Sequence, residues 1–317
     1  DNQALEIKVN NQRVFRFEPN TTSPNLIGGY SGNAITTGVY GATISGGGGS
    51  GYINNITDSY GSIGGGGGNR AGDADTDAGN KPYPTVAGGL KNIASGVYSA
   101  IGGGIENTAS GSTSAIGGGG YNKASATYSA IGAGYLNQAT GIYSTIGGGG
   151  FNTTSGANSA IGGGTHNTAS GTYSTIPGGY HNTASGSYSF AAGNYAHATT
   201  SGSFVWADAQ DATYNDHGVN TFNVRAQNGA FINAETNVNP GLFVYNNIEG
   251  TSAGQGTAIL GRSNSNDGYG LAGWNYVNGV GVGAWSYGGN LIEAYAGDYT
   301  GGTLRFYVDN AGNVRYA

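Results

Sequence analysis

The side chains that could perform chemistry in this 317-residue chain are few, and two histidines are the best ordered of them. His166 and His181 lie fifteen residues apart, and two imidazoles held side by side could bind a metal ion. No carboxylate accompanies them, because Glu106 and Lys123 are the only charged residues between positions 93 and 207. We therefore interpret both histidines as exposed loop residues and predict no metal site.

Three aspartates at alternate positions, Asp73, Asp75 and Asp77, have the initial spacing of a calcium-binding loop. Such a loop needs glycine at its sixth position and a glutamate at its twelfth. Here Gly79 falls at the seventh position and Pro84 at the twelfth. We therefore predict that the segment 69–81 is a solvated acidic loop.

Catalytic candidates are equally sparse. Cleavage of a polysaccharide needs two carboxyl groups about 5–9.5 Å apart. The candidates are Glu235 with Glu249, or the group Asp208, Asp211 and Asp216. No H-E-x-x-H or phosphate-binding loop motif occurs, and the absence of Cys excludes thiol chemistry. We predict a protein that is not an enzyme and has no catalytic or cofactor-binding residues.

Composition excludes other classes of protein. Charged residues make up 9% of the chain and its net charge is −6, which argues against nucleic acid as a partner. No apolar stretch approaches the roughly 18 residues that cross a membrane, so we expect no membrane insertion. The chain has 65 Gly, lacks Met and begins at Asp1. We expect a processed chain or fragment that is extracellular, on a cell surface or on the fibre of a virion or particle.

A fifteen-residue repeat organises the middle of the chain. Its consensus is Y-S-x-I-G-G-G-x-x-N-x-A-S-G-x, and it extends over residues 83–206. This unit is too short for a helical hairpin, but it fits one coil of a β-solenoid with two short strands and two glycine-containing turns. We therefore predict an all-β chain in which identical positions stack about 4.7 Å apart along one axis.

Two columns of the repeat are predicted to hold the coils together. The isoleucines should form a dry core, and the asparagine amides should form a ladder of hydrogen bonds between successive turns. One coil buries so little apolar surface that we also expect several copies of the chain to pack together as an obligate homo-oligomer. The residues of the two columns are Ile101, Ile116, Ile131, Ile146, Ile161 and Ile176, and Asn107, Asn122, Asn137, Asn152, Asn167 and Asn182.

The motif Ser99-Ala100-Ile101-Gly102, followed by Asn107-Thr108-Ala109-Ser110-Gly111, recurs in register through the repeat. In this motif the chain resembles the head domains of trimeric autotransporter adhesins, which are left-handed parallel β-rolls built by three parallel chains. The resemblance covers residues 83–206 and implies a left-handed parallel β-roll in a homotrimer. The repeat departs from that family in being one residue longer than the usual unit.

The two positions after each glycine run vary while the surrounding positions repeat, which indicates side chains that project from a turn. Several are aromatic, and aromatic rings stack on sugars or pack against protein. An alternative is that these side chains cover the seam between chains, and the sequence favours neither interpretation. The candidate surface-binding stripe consists of Tyr121, Tyr135, Phe151, His166, Tyr180 and His181.

Four further segments flank the regular repeat. Residues 1–26 are predicted to form a capping hairpin, and residues 27–82 irregular β-roll coils with loop insertions. Residues 207–239 are predicted to form a neck, followed by a second, interlaced β-segment rich in glycine and aromatic residues at 240–317. This last segment, which includes Gly268-Tyr269-Gly270-Leu271, loosely resembles the interlaced β-segments of phage tail fibres.

Together these features predict a non-catalytic, extracellular, trimeric fibre segment that presents multivalent binding surfaces. Its function would be attachment to cells, matrix or surfaces. Its partners would be copies of itself together with surface glycans or matrix proteins. The alternative is a tail fibre of a phage or injection particle that recognises, and in one version cleaves, a surface polysaccharide.

Overall fold

The computed structural model describes residues 3–73, 75, 77 and 80–227, and the strand segments 290–296, 303–309 and 314–316. These residues contain strands and no helix, which confirms the all-β prediction. The main body is a parallel β-solenoid of about 13 turns. The chain divides into two compact units, residues 1–230 and residues 231–317. Within the described residues, no helix is long and apolar enough to cross a membrane.

Each regular coil contributes one short strand to each of two sheets, which we call the long sheet and the short sheet. The strands are short because a glycine-containing turn follows almost at once. The long sheet consists of Leu5–Val9, Gln12–Glu18, Asn25–Gly28, Thr43–Ile44, Ser62–Ile63, Thr85–Val86, Ala100–Ile101, Ala115–Ile116, Ala130–Ile131, Thr145–Ile146, Ala160–Ile161, Thr175–Ile176, Gly179–Tyr180, Phe190–Asn194, Phe204–Ala207 and Phe222–Arg225. The short sheet consists of Ala34–Ile35, Asn55–Ile56, Arg70–Ala71, Ile93–Ala94, Thr108–Ala109, Lys123–Ala124, Gln138–Ala139, Thr153–Thr154, Thr168–Ala169, Thr183–Ala184, Ala196–Ala198 and Tyr214–Asn215.

Successive coils pair in parallel with equivalent repeat positions opposite each other. In the long sheet, Ile101 lies opposite Ile116, and in the short sheet Ala109 lies opposite Ala124. Side chains alternate between the two sides of a strand, so every coil sends the same residue type inward. This register turns the fifteen-residue period of the sequence into continuous columns of side chains.

The core lies between the two sheets, where the isoleucine column meets the alanine column. The six isoleucines of the predicted column, from Ile101 to Ile176, are each at most 2% exposed, and Thr154 fills the one alanine position that the repeat changes. We expected a single chain to have too little core of its own. The observed core lies within one chain. Association of several chains stays a prediction, which depends on the outer surfaces.

The asparagine column forms a buried ladder along the turns that join the long sheet to the short sheet. The Nδ2 of Asn122 donates to the carbonyl oxygens of Gly118 at 3.0 Å and Gly134 at 2.9 Å. Its Oδ1 accepts the backbone N–H of Asn137 at 3.0 Å. Equivalent bonds repeat along the column, so each amide ties its own turn to the next one.

A hairpin covers the start of the solenoid. Leu5–Val9 pairs antiparallel with Gln12–Glu18, which in turn pairs antiparallel with Asn25–Gly28 of the first coil. The guanidinium of Arg13 fixes the hairpin to that coil by donating to the carbonyl oxygen of Ser31 at 2.6 Å. The free edge of the first coil is therefore paired rather than open.

At the other end, the coils continue beyond the regular repeat. Phe222–Arg225 stacks in parallel on Phe204–Ala207, so the solenoid extends to residue 225 and includes the predicted beginning of the neck at 207. In the second unit, Asn290–Ala296, Thr303–Asp309 and Val314–Tyr316 form a three-stranded antiparallel sheet. The motif at 268–271 and most of the predicted interlaced segment lie outside the described residues.

Candidate functional site

The turns of the solenoid form two long edges, and each edge carries a column of mostly non-glycine residues in the left-handed backbone conformation, one per regular coil. We call the edge made by the Gly-Gly-Gly turns the glycine edge. The opposite edge, where the chain returns from the short sheet to the long sheet, is the tyrosine edge. Because equivalent positions repeat at the spacing of the coils, side chains on each edge lie directly above one another.

The glycine edge carries a stack of aromatic rings in its left-handed column. Ring centroids are 4.8 Å apart for Phe151 and His166, 4.7 Å for His166 and His181, and 5.0 Å for His181 and Tyr195. The planes of these pairs are within 13° of parallel. The rings stack because their Cα atoms share one backbone conformation in successive coils.

A second column on the same edge packs against this stack. Tyr135 and Tyr180 belong to isolated parallel bridges one position earlier in their coils. The ring of Tyr135 meets Tyr121 at 5.5 Å and Phe151 at 5.7 Å, edge to face. The six residues of the predicted stripe therefore form one continuous array, and Tyr121, Tyr135, Phe151 and Tyr180 are each 40–48% exposed.

Tyr195 extends this array, and sequence reasoning did not identify it. It follows His181 by fourteen residues instead of fifteen, so a search at the regular period misses it. The position of Tyr195 could have been found from the strand that follows it. Tyr195 comes directly before the short-sheet strand Ala196–Ala198, just as His181 comes directly before Asn182 in its own coil.

The tyrosine edge carries a stack of three rings, Tyr60, Tyr83 and Tyr98, and two stacked pairs. Tyr83 and Tyr98 stack at 4.9 Å, with planes 3° apart. Equivalent pairs are Tyr128 with Tyr143 at 4.8 Å and Tyr173 with Tyr188 at 5.1 Å. Thr113 and Asn158 interrupt the column. Tyr83, Tyr98 and the four tyrosines of the two pairs are 41–68% exposed, so within this chain they pack by mutual stacking at the surface.

Backbone conformation does not favour aromatic residues at these edges. A left-handed conformation costs a residue with a Cβ about 1–2 kcal/mol. Glycine and asparagine adopt it more readily, and Gly202, Asn220 and Asn158 do so on the tyrosine edge. Ring stacking offsets part of the cost at about 0.5–1.5 kcal/mol per pair. The conformation of the turn therefore does not require aromatic residues at these positions.

The stacked histidines are poorly placed to share a metal ion. An imidazole nitrogen binds a metal in the plane of its ring, and the rings of His166 and His181 lie 4.7 Å apart with planes only 13° from parallel. Two such planes offer no common point for one ion. No group of three or more His, Cys, Asp or Glu side chains among the described residues could hold a metal ion.

The acidic loop is anchored by a buried aspartate that the sequence analysis did not single out. The carboxylate of Asp58 accepts the N–H groups of Asp73 at 2.9 Å and Lys81 at 3.3 Å. Burial raises the pKa of Asp58, against the lowering effect of these two hydrogen bonds. Within the loop, Asp75 accepts the N–H of Asp77 at 2.9 Å. These carboxylates satisfy backbone groups of the loop itself.

The aspartates considered for catalysis form an ion pair or hydrogen bonds with other residues of the chain. Asp208 pairs with the guanidinium of Arg225 at 2.8 Å, and Asp211 accepts from the Nδ2 of Asn194 at 2.9 Å. Asp216 accepts the N–H and hydroxyl groups of two adjacent threonines, residues 199 and 200. Each carboxylate holds a loop against the last coils of the solenoid. The other candidates, residues 235 and 249, lie outside the described residues.

Partial burial alone would raise the pKa of Asp216. Hydrogen bonds from Thr200 and Thr199 outweigh this effect and lower the pKa to about 2. A carboxyl group with so low a pKa stays ionised near neutral pH and is a poor general acid. Its environment is that of a structural anchor.

No protein-family model matches this chain, and no curated protein matches it in sequence. The stacked parallel coils are compatible with a β-roll head domain. The function is therefore inferred from the geometry of the edges and faces.

Proposed function

We propose that this chain is a non-catalytic segment of an extracellular, homotrimeric adhesive fibre. In this proposal residues 83–206 are a left-handed β-roll head of the kind found in trimeric autotransporter adhesins, followed by a neck and a second interlaced β-segment. The aromatic array on the glycine edge is the adhesive surface. The observation that carries the proposal is this continuous, exposed array on a rigid repeating support.

The chemistry of the array suits an uncharged, partly apolar ligand. From Tyr121 to Tyr195 it spans five coil spacings, or about 24 Å at 4.8 Å per coil. Its rings offer apolar surface with hydroxyl and imidazole groups at the rim, a combination that suits the faces of neutral sugars. We therefore favour a neutral surface glycan, with a matrix protein as the other outcome of the test.

Rigidity and repetition account for the proposed mechanism. The asparagine ladder and the two parallel sheets fix the array in one geometry, so little ordering entropy is lost on binding. Three chains in a fibre would present three arrays. A weak contact by one chain then raises the effective concentration of the others, and avidity replaces high affinity at a single site.

The experiment measures binding of the purified chain to cells, to matrix proteins and to surfaces coated with neutral glycans. The test variant carries Tyr121→Ser, Phe151→Ser and Tyr180→Ser on the glycine edge. We expect it to bind at least tenfold less than the wild-type chain. The matched control carries Tyr98→Ser, Tyr128→Ser and Tyr173→Ser on the tyrosine edge and should bind as the wild type does.

Equal binding by the wild-type chain and the test variant would refute the adhesive role of the array. Release of reducing ends from a polysaccharide by the wild-type chain would instead favour a tail fibre that cleaves its receptor. Loss of binding by both variants would mean that adhesion does not depend on the array in particular.

A further inference from the structure

The tyrosine edge holds phenol rings of adjacent coils in direct contact. The backbone N–H of Tyr143 donates to the carbonyl oxygen of Thr127, the residue before Tyr128, at 3.1 Å. This bond sets the two tyrosines one coil apart, and their rings stack with centroids 4.8 Å apart and planes 2° from parallel. The same arrangement holds Tyr173 against Tyr188, with centroids 5.1 Å apart. Two phenols of one chain therefore face each other in a fixed geometry.

These phenols are also open to reagents in solution. Tyr98, Tyr128, Tyr143 and Tyr188 are 48–68% exposed although each one stacks on a neighbour. Stacking covers one side of a ring and leaves the other side and the rim in water. A small oxidant can therefore reach rings that already have a partner at contact distance.

The composition of the chain directs oxidation towards tyrosine. Sulfur side chains are modified readily by oxidants, and this chain has neither Cys nor Met. It has 23 Tyr and three Trp, so phenols are its most numerous oxidisable side chains. Removal of one electron from this protein is therefore more often a reaction of tyrosine than in a chain that contains sulfur.

We propose that the stacked tyrosines of the tyrosine edge are sites of oxidative cross-linking, at which hydrogen peroxide and a haem peroxidase join rings of adjacent coils as dityrosine. The modification would tie successive coils of one chain together covalently. It goes beyond the adhesive function proposed above and does not depend on it.

The reaction balances with peroxide as the oxidant. Each of two phenols gives up one electron and one proton and becomes a phenoxyl radical. The two radicals form one carbon–carbon bond between their ortho carbons, and the hydrogen on each of these carbons is lost as a proton while the phenolic oxygen regains one. The pair loses two hydrogen atoms overall, and one molecule of hydrogen peroxide takes them up and becomes two molecules of water.

The new bond needs only a local movement of the two rings. Stacked rings face each other with their planes, whereas coupling needs an ortho carbon of each ring to point at the other. Rotation of both rings about the Cβ–Cγ bond achieves this, and that torsion has a broad preference. The tyrosines lie in successive coils about 4.8 Å apart, so the backbone hydrogen bonds between the coils can stay in place.

Interruptions of the column confine the reaction to three clusters. Thr113 separates Tyr98 from Tyr128, which leaves these two tyrosines two coils, or about 10 Å, apart along the axis. Asn158 separates the next two clusters in the same way. Links should therefore form within clusters and not between them. The three clusters are Tyr60 with Tyr83 and Tyr98, Tyr128 with Tyr143, and Tyr173 with Tyr188.

The experiment treats the purified full chain with hydrogen peroxide and a haem peroxidase, at a dilution that disfavours links between chains. Dityrosine fluorescence reports the reaction, and tandem mass spectrometry of a digest locates each linked pair, which is lighter by two hydrogen atoms. We expect the link between Tyr128 and Tyr143 to be at least tenfold more abundant than a link between Tyr98 and Tyr128. No dityrosine, equal abundance of these two links, or links mainly between chains would overturn the proposal.

Conservative variants test the assignment of the pairs. Tyr143→Phe keeps the stacked ring but lacks the phenol, so it should remove the link to Tyr128 and leave the link between Tyr173 and Tyr188. Tyr135→Phe, on the glycine edge, is the matched control and should leave both links unchanged. Thr113→Tyr fills the first gap and should add a link from position 113 to Tyr98 or Tyr128. A Tyr128 link of wild-type abundance to another tyrosine in the Tyr143→Phe variant would overturn the assigned pair.

Stability measures whether the links tie the coils together. A covalent cross-link restricts the unfolded chain, so peroxidase treatment should raise the urea midpoint of the wild-type chain. The variant Tyr83→Phe, Tyr143→Phe and Tyr188→Phe leaves no stacked pair of phenols in any cluster and should show no rise. An unchanged midpoint for the treated wild type, or an equal rise in the variant, would overturn the proposed linking of coils.

Discussion

The asparagine ladder makes a strong prediction about stability, and Asn122 is the clearest position to test. Asn122→Ala removes the amide that donates to Gly118 and Gly134 and accepts from Asn137. The N–H of Asn137 is left buried without that acceptor, which costs about 1–3 kcal/mol. The carbonyl of Gly134 keeps the N–H of Gly120 at 2.8 Å, so loss of the two donated bonds adds only about 1 kcal/mol.

We therefore expect Asn122→Ala to lower the free energy of unfolding by about 2–4 kcal/mol. The measurement is urea unfolding at fixed protein concentration, combined with hydrogen exchange at the amide of Asn137. Lys123→Ala is the matched control, because its side chain is exposed in the next position, and it should stay within about 0.5 kcal/mol of the wild type. A loss below about 0.5 kcal/mol for Asn122→Ala would refute the structural role of the ladder.

Asn122→Asp separates the accepting role of the side chain from its donating role. An ionised carboxylate can still accept from Asn137, but it faces the carbonyl oxygens of Gly118 and Gly134 without a proton to donate. This environment raises the pKa of the new carboxyl group in the folded state. The variant should therefore be most stable below about pH 4 and lose stability as pH rises through the folded-state pKa.

Two further predictions concern a turn and the last coils. Gly119→Ala should lower the free energy of unfolding by more than about 2 kcal/mol, because Gly119 has φ +85° and an added Cβ would lie 2.1 Å from the carbonyl oxygen of Gly134. Gly118→Ala is its control and should be tolerated in the same urea titration, since no atom lies within 4 Å of its Cβ position. Asp216, with its pKa lowered to about 2, should stabilise the fold above about pH 4, and this contribution should disappear as pH falls towards 2. Hydrogen exchange of residues 199–216 against pH measures this loss, and Asp216→Asn should remove the acid dependence.

The columns of the solenoid were predictable because their period is strict. The positions of Ile101 and Asn107 in the repeat recur every fifteen residues through several coils. Coils that pair in register must place such residues above one another. The six aromatic residues of the stripe followed from the same logic. Their stacking did not, since it depends on a left-handed backbone conformation that sequence spacing alone does not reveal.

One part of the fold that the sequence analysis did not predict lies where the fifteen-residue period changes. Phe222 follows Phe204 at eighteen residues, so the coil that carries Phe222 was assigned to the neck at 207–239. The column of outward-facing side chains on the long sheet was not predicted for another reason. Most strands of this sheet have two residues, too few to show alternation, and the column appears only when Leu5 and Phe222 are placed in it by strand pairing.

The expectation of a small core considered only the apolar side chains of each coil. Serines such as Ser99 are also fully buried, and some of their hydroxyl groups bond locally. The Oγ of Ser99, for example, accepts the N–H of Gly96 at 3.0 Å. The solenoid is narrow enough for these small side chains to fill part of its interior.

The stacking of coils along one axis also determines how the chain responds to tension. The backbone hydrogen bonds between successive coils are parallel to the solenoid axis. A pull along this axis therefore separates the coils one after another rather than together. Each coil that detaches releases fifteen residues, about 50 Å of extended chain in place of a rise of about 4.8 Å. The solenoid would therefore lengthen in steps under load and dissipate mechanical energy coil by coil, while the remaining coils keep their aromatic rings in place.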